Sequence, residues 1–572
     1  EQTVALISQE FGESVADELA EPFYHETSGN LYLLSTLITS YRTNKCLEKS
    51  LVDLVDVMML SLGGLEEQVV LLAELISLFP DGVPYPLLQK LCSDHGHMLT
   101  AYLEKLIAAG VIEERHTGES LSFGFMHQRI RETIYEKLSF LKRQPLHLQI
   151  ATLLSSEGNL AESQTCRQIA QHFHLGGKPL EGLEFQIRSL ELLSERSCEL
   201  FPITSNGGTP FINAEELSEA VKTAMRDITT LRKEHKDAET LAKLERSLVL
   251  IRGRLALFHD EIEEGMDILG GLSVIDDENN DRTMMIQACY LLACASLNLQ
   301  DINRAERYTS TGMRLVERSR DILHQARFWR LRGRCFGLHK EYEKSSYYLQ
   351  EALDELEKLP KSDDGVKLQI AATYCDYGKL LRQRKDYAGA WSYFKRALSL
   401  LDEPYPGVVL IYLDYALTAL VLEDDNKARE LFTKAYETAM CNCEPWGRTV
   451  ASAATAYYFM LEGDTERAVQ RLSEANQSAI ACSSPLEQAL LCFFSMRIRQ
   501  ALDQREKTDS ALNLELKLTA DEFARLGMRW TASLQDVFET EVLLKGLREG
   551  IVERERYRAS ELYSKKKHFM TE

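Results

Sequence analysis

The chain has 572 residues, 45% of them hydrophobic and 27% charged, and a formal net charge of −21. That composition belongs to a folded soluble protein and excludes a disordered one, while the acidic balance argues against a nucleic-acid surface over much of the chain, since duplex binding relies on Lys and Arg neutralising phosphates. No apolar run is long enough to span a membrane, and the 12 cysteines, with Cys441-Asn-Cys443 the closest pair, form no disulfide or metal framework and suit a reducing cytosol.

Glu1 opens inside a helix-like pattern with no basic n-region or apolar signal core, as expected of a piece of a longer protein. Residues 1–50 read as helical. The segments EEQVVLLAELISLF, PLLQKLCSDHG and MLTAYLEKLIAAG are three helices, and GVIEER and LSFGFMH pair as a hairpin around HTGES. Three helices and a hairpin make a winged helix, placed at 51–145. Its third helix is apolar with a lone Lys105, so it is expected to pack rather than to reach phosphates and base edges. His127 then sits between Phe125-Met126 and the amphipathic run QRIRETIYEKL. On these residues it is a core residue, a metal ligand, a catalytic base or one half of a switch. Bridging helices fill 146–213, where FPITSNGGTPF (201–211) reads as a loop and a boundary.

From 214 to 572 the signal is internal repetition. Small residues recur at Gly265, Ala305, Ser345, Ala390, Ala428 and Ala468, in steps of 40, 40, 45, 38 and 40. Twelve residues before each stands another small residue (Gly253, Ala293, Gly333, Gly378, Ala416 and Ala456), and four before each an acid. Small residues at two offsets let paired antiparallel helices approach closely. An acid suits the turn and the start of the second helix, where free N–H groups and the positive dipole end favour a carboxylate. Such units bury their apolar stripes only by stacking, with a concave inner face. The fold class is therefore mainly α: a winged-helix domain followed by a superhelix of helical hairpins of about 40 residues.

Two resemblances follow from these residues. YCDYGKLLRQRKDYAGAWSYFKRAL resembles the tetratricopeptide repeat, with Tyr374, Gly378, Tyr387, Ala390, Phe394 and Ala397 at its signature places. FGFMHQRIRETIYEKL and PLHLQIATLL resemble the winged-helix segment of the signal-transduction ATPases with numerous domains, a class that includes the bacterial maltose-regulon activator. Phe125, His127, Ile130-Arg131-Glu132, Tyr135 and Leu146-His147 carry that likeness, and ETSGNLYLL resembles the end of the family's ATPase lid. The resemblance implies that His127 contacts the β-phosphate of ADP and that Gly29, Asn30 and Leu31 lie near the adenine, Leu31 standing where the family has proline. No GxxxxGK[ST] occurs in the chain, so the ATPase core is expected upstream, with no cofactor held by this fragment alone and ADP or ATP implied for the whole protein. No enzyme activity is expected.

In tetratricopeptide arrays the first helix of each unit lines the groove. That geometry places Arg327, Arg330 and Arg334 there, with Lys379 and Arg382 from the next unit and Leu410, Leu413, Leu417 and Leu420 from the one after. A basic cluster beside an apolar wall suits an inducer that is a peptide, a small anion or an acidic protein segment; alternatively the cations pair with acids on adjacent helices. Two functions are weighed. One is the sensing and autoregulatory fragment of such an ATPase switch in a cytoplasmic bacterial regulator, assembling on activation and making no direct nucleic-acid or membrane contact. The other is a passive scaffold.

Overall fold

The computed structural model describes residues 2–504 apart from 12–14, 16–18, 25–30, 45–61, 63, 94–97, 118–119, 204–213, 235–236, 273–281, 320, 362, 402–404, 406, 442–444 and 483. Gly29, Asn30, Cys443, most of the 201–211 stretch, Lys565–Lys567 and the repeats expected beyond 504 lie outside the described residues. Among the described residues the fold is mainly α with one small antiparallel sheet, and no helix is long and apolar enough to cross a membrane. The chain divides into two compact units: residues 1–158 with 168–182, and residues 159–167 with 183–572.

In the first unit α1 (Gln2–Phe11) and α2 (Leu31–Asn44) precede α3 (Glu67–Ser77), β1 (Val83–Pro84), α4 (Tyr85–Leu91), α5 (Leu99–Ala108), β2 (Ile112–Thr117), β3 (Ser120–Phe125), α6 (Gln128–Lys137) and α7 (Phe140–Glu157). The helix α5 stops where AAGV asks it to: Gly110 takes φ 70° and the Val111 N–H reaches back to the Leu106 carbonyl at 3.0 Å. The hairpin then runs in register from Ile112 opposite Phe125 to Thr117 opposite Ser120. A third strand, β1, joins the free edge of β3. Its two residues are too short to show period-2 alternation, and Pro84 is tolerated because an edge strand does not need every N–H. Val69, Leu72, Ile76, Leu103, Leu106, Phe123, Phe125 and Ile130 share one core. Lys105, the single cation of α5, lies 2.6 Å from Glu66.

The helices α8 (Ser163–Leu175) and α9 (Pro179–Cys198) each contribute to both units, and α10 (Ala214–Lys233) leads into the hairpins of the second. These are α11 (Ala238–Phe258) with α12 (Ile262–Leu272), α13 (Arg282–Asn298) with α14 (Ile302–Ser319), α15 (Ile322–Leu338) with α16 (Tyr342–Leu356), α17 (Asp364–Gln383) with α18 (Tyr387–Leu398), α19 (Val408–Val421) with α20 (Asp425–Cys441), and α21 (Arg448–Glu462) with α22 (Thr465–Ala481), before α23 (Pro485–Gln504). The small residues do what their spacing predicts. The Ser345 hydroxyl donates to the Gly333 carbonyl at 2.8 Å, and a Cβ on Gly378 would stand 2.7 Å from the Phe394 ring.

Each of these six hairpins turns in the same way. Asp260, Gln300, Lys340, Lys385, Glu423 and Gly463, all five residues before a repeat anchor, take left-handed φ between 60° and 88°. The next N–H then bonds back to the carbonyl five residues earlier at 2.9–3.0 Å, the 6→1 closure of a helix C-terminus. The predicted acid follows, and Asp301, Asp386, Asp424 and Asp464 each accept the N–H three residues on, at 2.9–3.1 Å. First helices also touch the first helix of the neighbouring hairpin, so α11, α13, α15, α17, α19, α21 and α23 form an inner layer.

Candidate functional site

The inner layer encloses a cavity of about 190 Å3. Part of the lining is charged. Arg330 donates to the Tyr290 hydroxyl at 3.0 Å and lies 3.9 Å from Asp376; Arg334 approaches the same carboxylate at 3.5 Å. Lys379 meets Asp414 at 2.9 Å, and Arg382 reaches both the Asp414 carboxylate, at 2.7 Å, and its carbonyl, at 2.9 Å. Burial alone would raise the Asp414 carboxyl, but Lys379 and Arg382 overrule it and hold it below the ordinary carboxylate range. Much of the remaining lining is apolar, with Leu410, Leu413, Leu417, Trp446 and Leu490 among it. Glu487 stands within it, accepting the Gly447 N–H at 2.9 Å, while its Oε2 has no hydrogen-bond partner among the described residues. Burial pushes the Glu487 carboxyl up to about 8, so it is mostly protonated at neutral pH.

One wall of the cavity is not a repeat. Residues Cys198–Phe201, leaving α9, lie against the inner layer. The Glu199 carboxylate is 3% exposed and pairs with two guanidiniums, Arg327 through Oε1 and Arg254 Nε at 3.3 Å. Arg254 and Arg327 are themselves 1% and 2% exposed, and Arg327 stacks on Tyr290 at 3.4 Å. Burial would raise the Glu199 carboxyl; Arg327 and Arg254 win and hold it low, whereas burial and Glu199 push the adjacent Glu195 up. Arg254, Arg327, Arg330, Arg334, Lys379 and Arg382 thus meet Glu199, Asp376 and Asp414, with Glu195 beside Arg254 and Arg327, a buried cluster of alternating charge in a chain of charge −21.

In the first unit His127 is the residue before α6 and is 6% exposed; its carbonyl accepts the Ile130 N–H at 3.1 Å. Its neighbours in the motif hold the unit together. Phe125 and Ile130 enter the core, and Arg131 donates to the Ser77 carbonyl at 3.1 Å, tying α6 to the end of α3. Tyr135 and His147 are 3.2 Å apart, and His147 Nδ1 meets His172 Nδ1 at 2.8 Å. Burial, then Arg143, lowers His147 to about 4; burial, then His147, lowers His172 to about 3. Leu31 begins α2. Among the described residues no group of three or more His, Cys, Asp or Glu could hold a metal ion.

No family model and no curated protein matches this chain. Solved structures do. The chain is similar to a signal transduction ATPase with numerous domains bearing a tetratricopeptide repeat sensor, PH0952 from Pyrococcus horikoshii, at 16% identity over 94% of this chain and 73% of that one, with a TM-score of 0.44. It is similar to a Rap protein complexed with competence and sporulation factor, at 13% identity over 72% and 99%, with a TM-score of 0.43. It is also similar to NprR in complex with its cognate peptide NprX, at 14% identity over 67% and 99%, with a TM-score of 0.40.

The five cations expected in the groove do lie on first helices, and each has a carboxylate partner. Arg330, Arg334 and Lys379 line the main cavity, Arg382 an adjoining one of about 110 Å3, and Arg327 lies behind them on Glu199. Leu410, Leu413 and Leu417 form the apolar wall; Leu420, one turn further along α19, lies outside the cavity lining. Reading 201–211 as a loop missed Glu199 and Phe201. The available signal was the Glu-Leu-Phe triplet, two apolar residues and an acid kept beside a Gly-rich stretch.

Proposed function

We propose that this chain is the sensing and autoregulatory part of a switch of the signal-transduction ATPase type, with an acidic amphiphilic inducer, a peptide foremost, bound on the inner face of the repeats. The observation that carries the reading is the cavity, whose lining brings Arg330, Arg334 and Lys379, seated on Asp376 and Asp414, beside the apolar Leu410, Leu413 and Leu417. Such a site orients an amphiphile by its charge and holds it by its apolar part. The order helix, strand, helix, helix, strand, strand from Glu67 to Phe125 supports the winged-helix reading of that segment, and buried His127 at the start of α6 supports a role facing an ADP held by an upstream ATPase core. The output is a bacterial regulator acting in the cytoplasm. For the inducer to throw the switch, it must bind the open form more tightly than the closed one.

A chain extended upstream through the ATPase region is expected to purify with ADP and to lose it on His127→Ala. Nucleotide that stays in the variant, or that never binds the parent, makes His127 a core residue. The passive scaffold then takes over, a reading favoured by the pairing of all five groove cations with acids.

A further inference from the structure

The segment that walls the cavity is bound as a peptide ligand would be. It has an acid seated between two buried guanidiniums, and two residues later Phe201 lies beneath the Arg330 guanidinium at 5.4 Å. Its backbone is gripped by a side chain rather than by a strand: the Gln369 amide donates to the Phe201 carbonyl at 2.5 Å and to that of Pro202 at 3.4 Å. Two glycines of the second unit make room for it. A Cβ on Gly407 would stand 2.9 Å from the Phe201 ring, and one on Gly365 would stand 1.8 Å from the Ile203 carbonyl. Phe201 also holds φ 52°, a left-handed conformation that disfavours a bulky residue.

We infer that Glu199-Leu200-Phe201 is a built-in occupant of the sensor's own ligand site, and that the partner able to replace it is an extended peptide with an acidic residue two positions before an aromatic one. This rests on the peptide-binding reading above and names its ligand. Charge dictates the ligand's first feature. Lifting Glu199 out would strip Arg254 and Arg327 of their ion-paired carboxylate and leave only the buried Glu195 beside them, which is less favourable than exchanging one paired carboxylate for another. The ligand therefore brings its own acid. The Arg330–Gly407 slot sets the second feature, a flat ring that stacks on guanidinium. Because Cys198–Phe201 form the cavity wall, an incoming peptide meets the segment before it displaces it. The occupant is covalently tethered to α9, so its effective concentration masks the site and keeps the affinity of the resting protein low.

The test uses the full chain and a fluorescein-labelled peptide copying residues 196–205, read by fluorescence polarisation. Phe201→Ala weakens the tethered occupant and leaves the guanidiniums in place. The peptide is expected to bind this variant at least tenfold more tightly than the parent, and its Glu→Gln counterpart to bind neither. A folded Phe201→Ala protein that binds the peptide no better than the parent overturns the inference. If that variant does not fold, hydrogen exchange on the parent decides: saturating peptide should speed exchange at 198–203, and unchanged protection there overturns the inference. Anilinonaphthalene sulfonate, a general anionic amphiphile, separates the two layers. Binding of the dye to the parent that is lost on Lys379→Gln, without peptide exchange, retains the anionic-amphiphile site and sinks the built-in occupant. Failure of both probes sinks both.

Discussion

Glu487 shows how a single side chain in the cavity sets a pH response. Its carboxyl is raised to about 8 by burial among apolar groups, against the partial relief of the Gly447 N–H. A group raised in the folded state contributes stability below its unfolded pKa, and that contribution is lost as pH rises through the folded value. The second unit should therefore lose stability between about pH 4.5 and 8 on account of this residue. Glu487→Gln keeps the shape and the acceptor for Gly447 but cannot ionise. Thermal melts of parent and variant at pH 6 and 8 should show the variant gaining on the parent at the higher pH; parallel melting temperatures would remove Glu487 from the account. The groove cations were legible in the sequence because they recur at helical spacing on one face. Their partners were not: Asp376 and Asp414 lie on neighbouring first helices, 42 and 35 residues from Arg334 and Lys379, and no local pattern links them.

At the scale of one hairpin the repeated turn joins two devices in adjacent residues. Lys385 takes φ 64°, and Asp386 accepts the Gly389 N–H at 2.9 Å. Losing an Asp N-cap to Ala costs about 1 kcal/mol, whereas a left-handed L-residue carries a penalty of roughly 1–2 kcal/mol that Gly avoids at an entropic cost of about 0.5–1 kcal/mol. Asp386→Ala should thus destabilise the second unit by about 1 kcal/mol, while Lys385→Gly should leave it unchanged or up to about 1 kcal/mol more stable. Urea unfolding of the two variants checks this, and a Lys385→Gly loss as large as that of Asp386→Ala would refute the turn argument. The acid was legible from its offset to the small anchors. The left-handed residue one position earlier was not, because Asp, Gln, Lys, Lys and Glu occupy it in five of the six hairpins and only Gly463 carries the usual signature. There the 6→1 closure of the preceding helix fixes the conformation whatever the side chain. In the same way β1 escaped notice, since its pairing is set by β3 and by the Gly82 turn rather than by its own two residues.

The two units carry separate cores, one built from Ile7 to Ile150 in the first and several along the repeats of the second, including one of Phe201 with Leu368 to Ala501 and one of Leu250 to Cys335, and the titrating groups of the two units pull in opposite directions. In the first unit His147 and His172 are lowered to about 4 and 3, so both stay neutral in the fold while the unfolded chain takes up protons near pH 6.5. Stability depends on the protons bound by the unfolded state in excess of the folded one. It is complete above pH 6.5 and declines below it, approaching about 1.4 kcal/mol per pH unit for each histidine. In the second unit Glu487 acts with the reverse sign, gaining as pH falls from 8 towards 4.5. Between pH 8 and 5.5 the carboxylates held low by arginine and lysine, Glu199 and Asp414, stay ionised in folded and unfolded chains alike and add no slope. Hydrogen exchange resolved along the chain should therefore show the core amides of α3, α5 and α6 losing protection on acidification to pH 5.5 while those of α19 and α21 hold or gain. His172→Gln, which keeps a polar partner for His147 but does not titrate, should halve the acid slope of the first unit and leave the second untouched. Protection that falls together in all five helices would mean that the chain unfolds as one body, and would overrule the separate cores of the two units as the physical basis of its pH response.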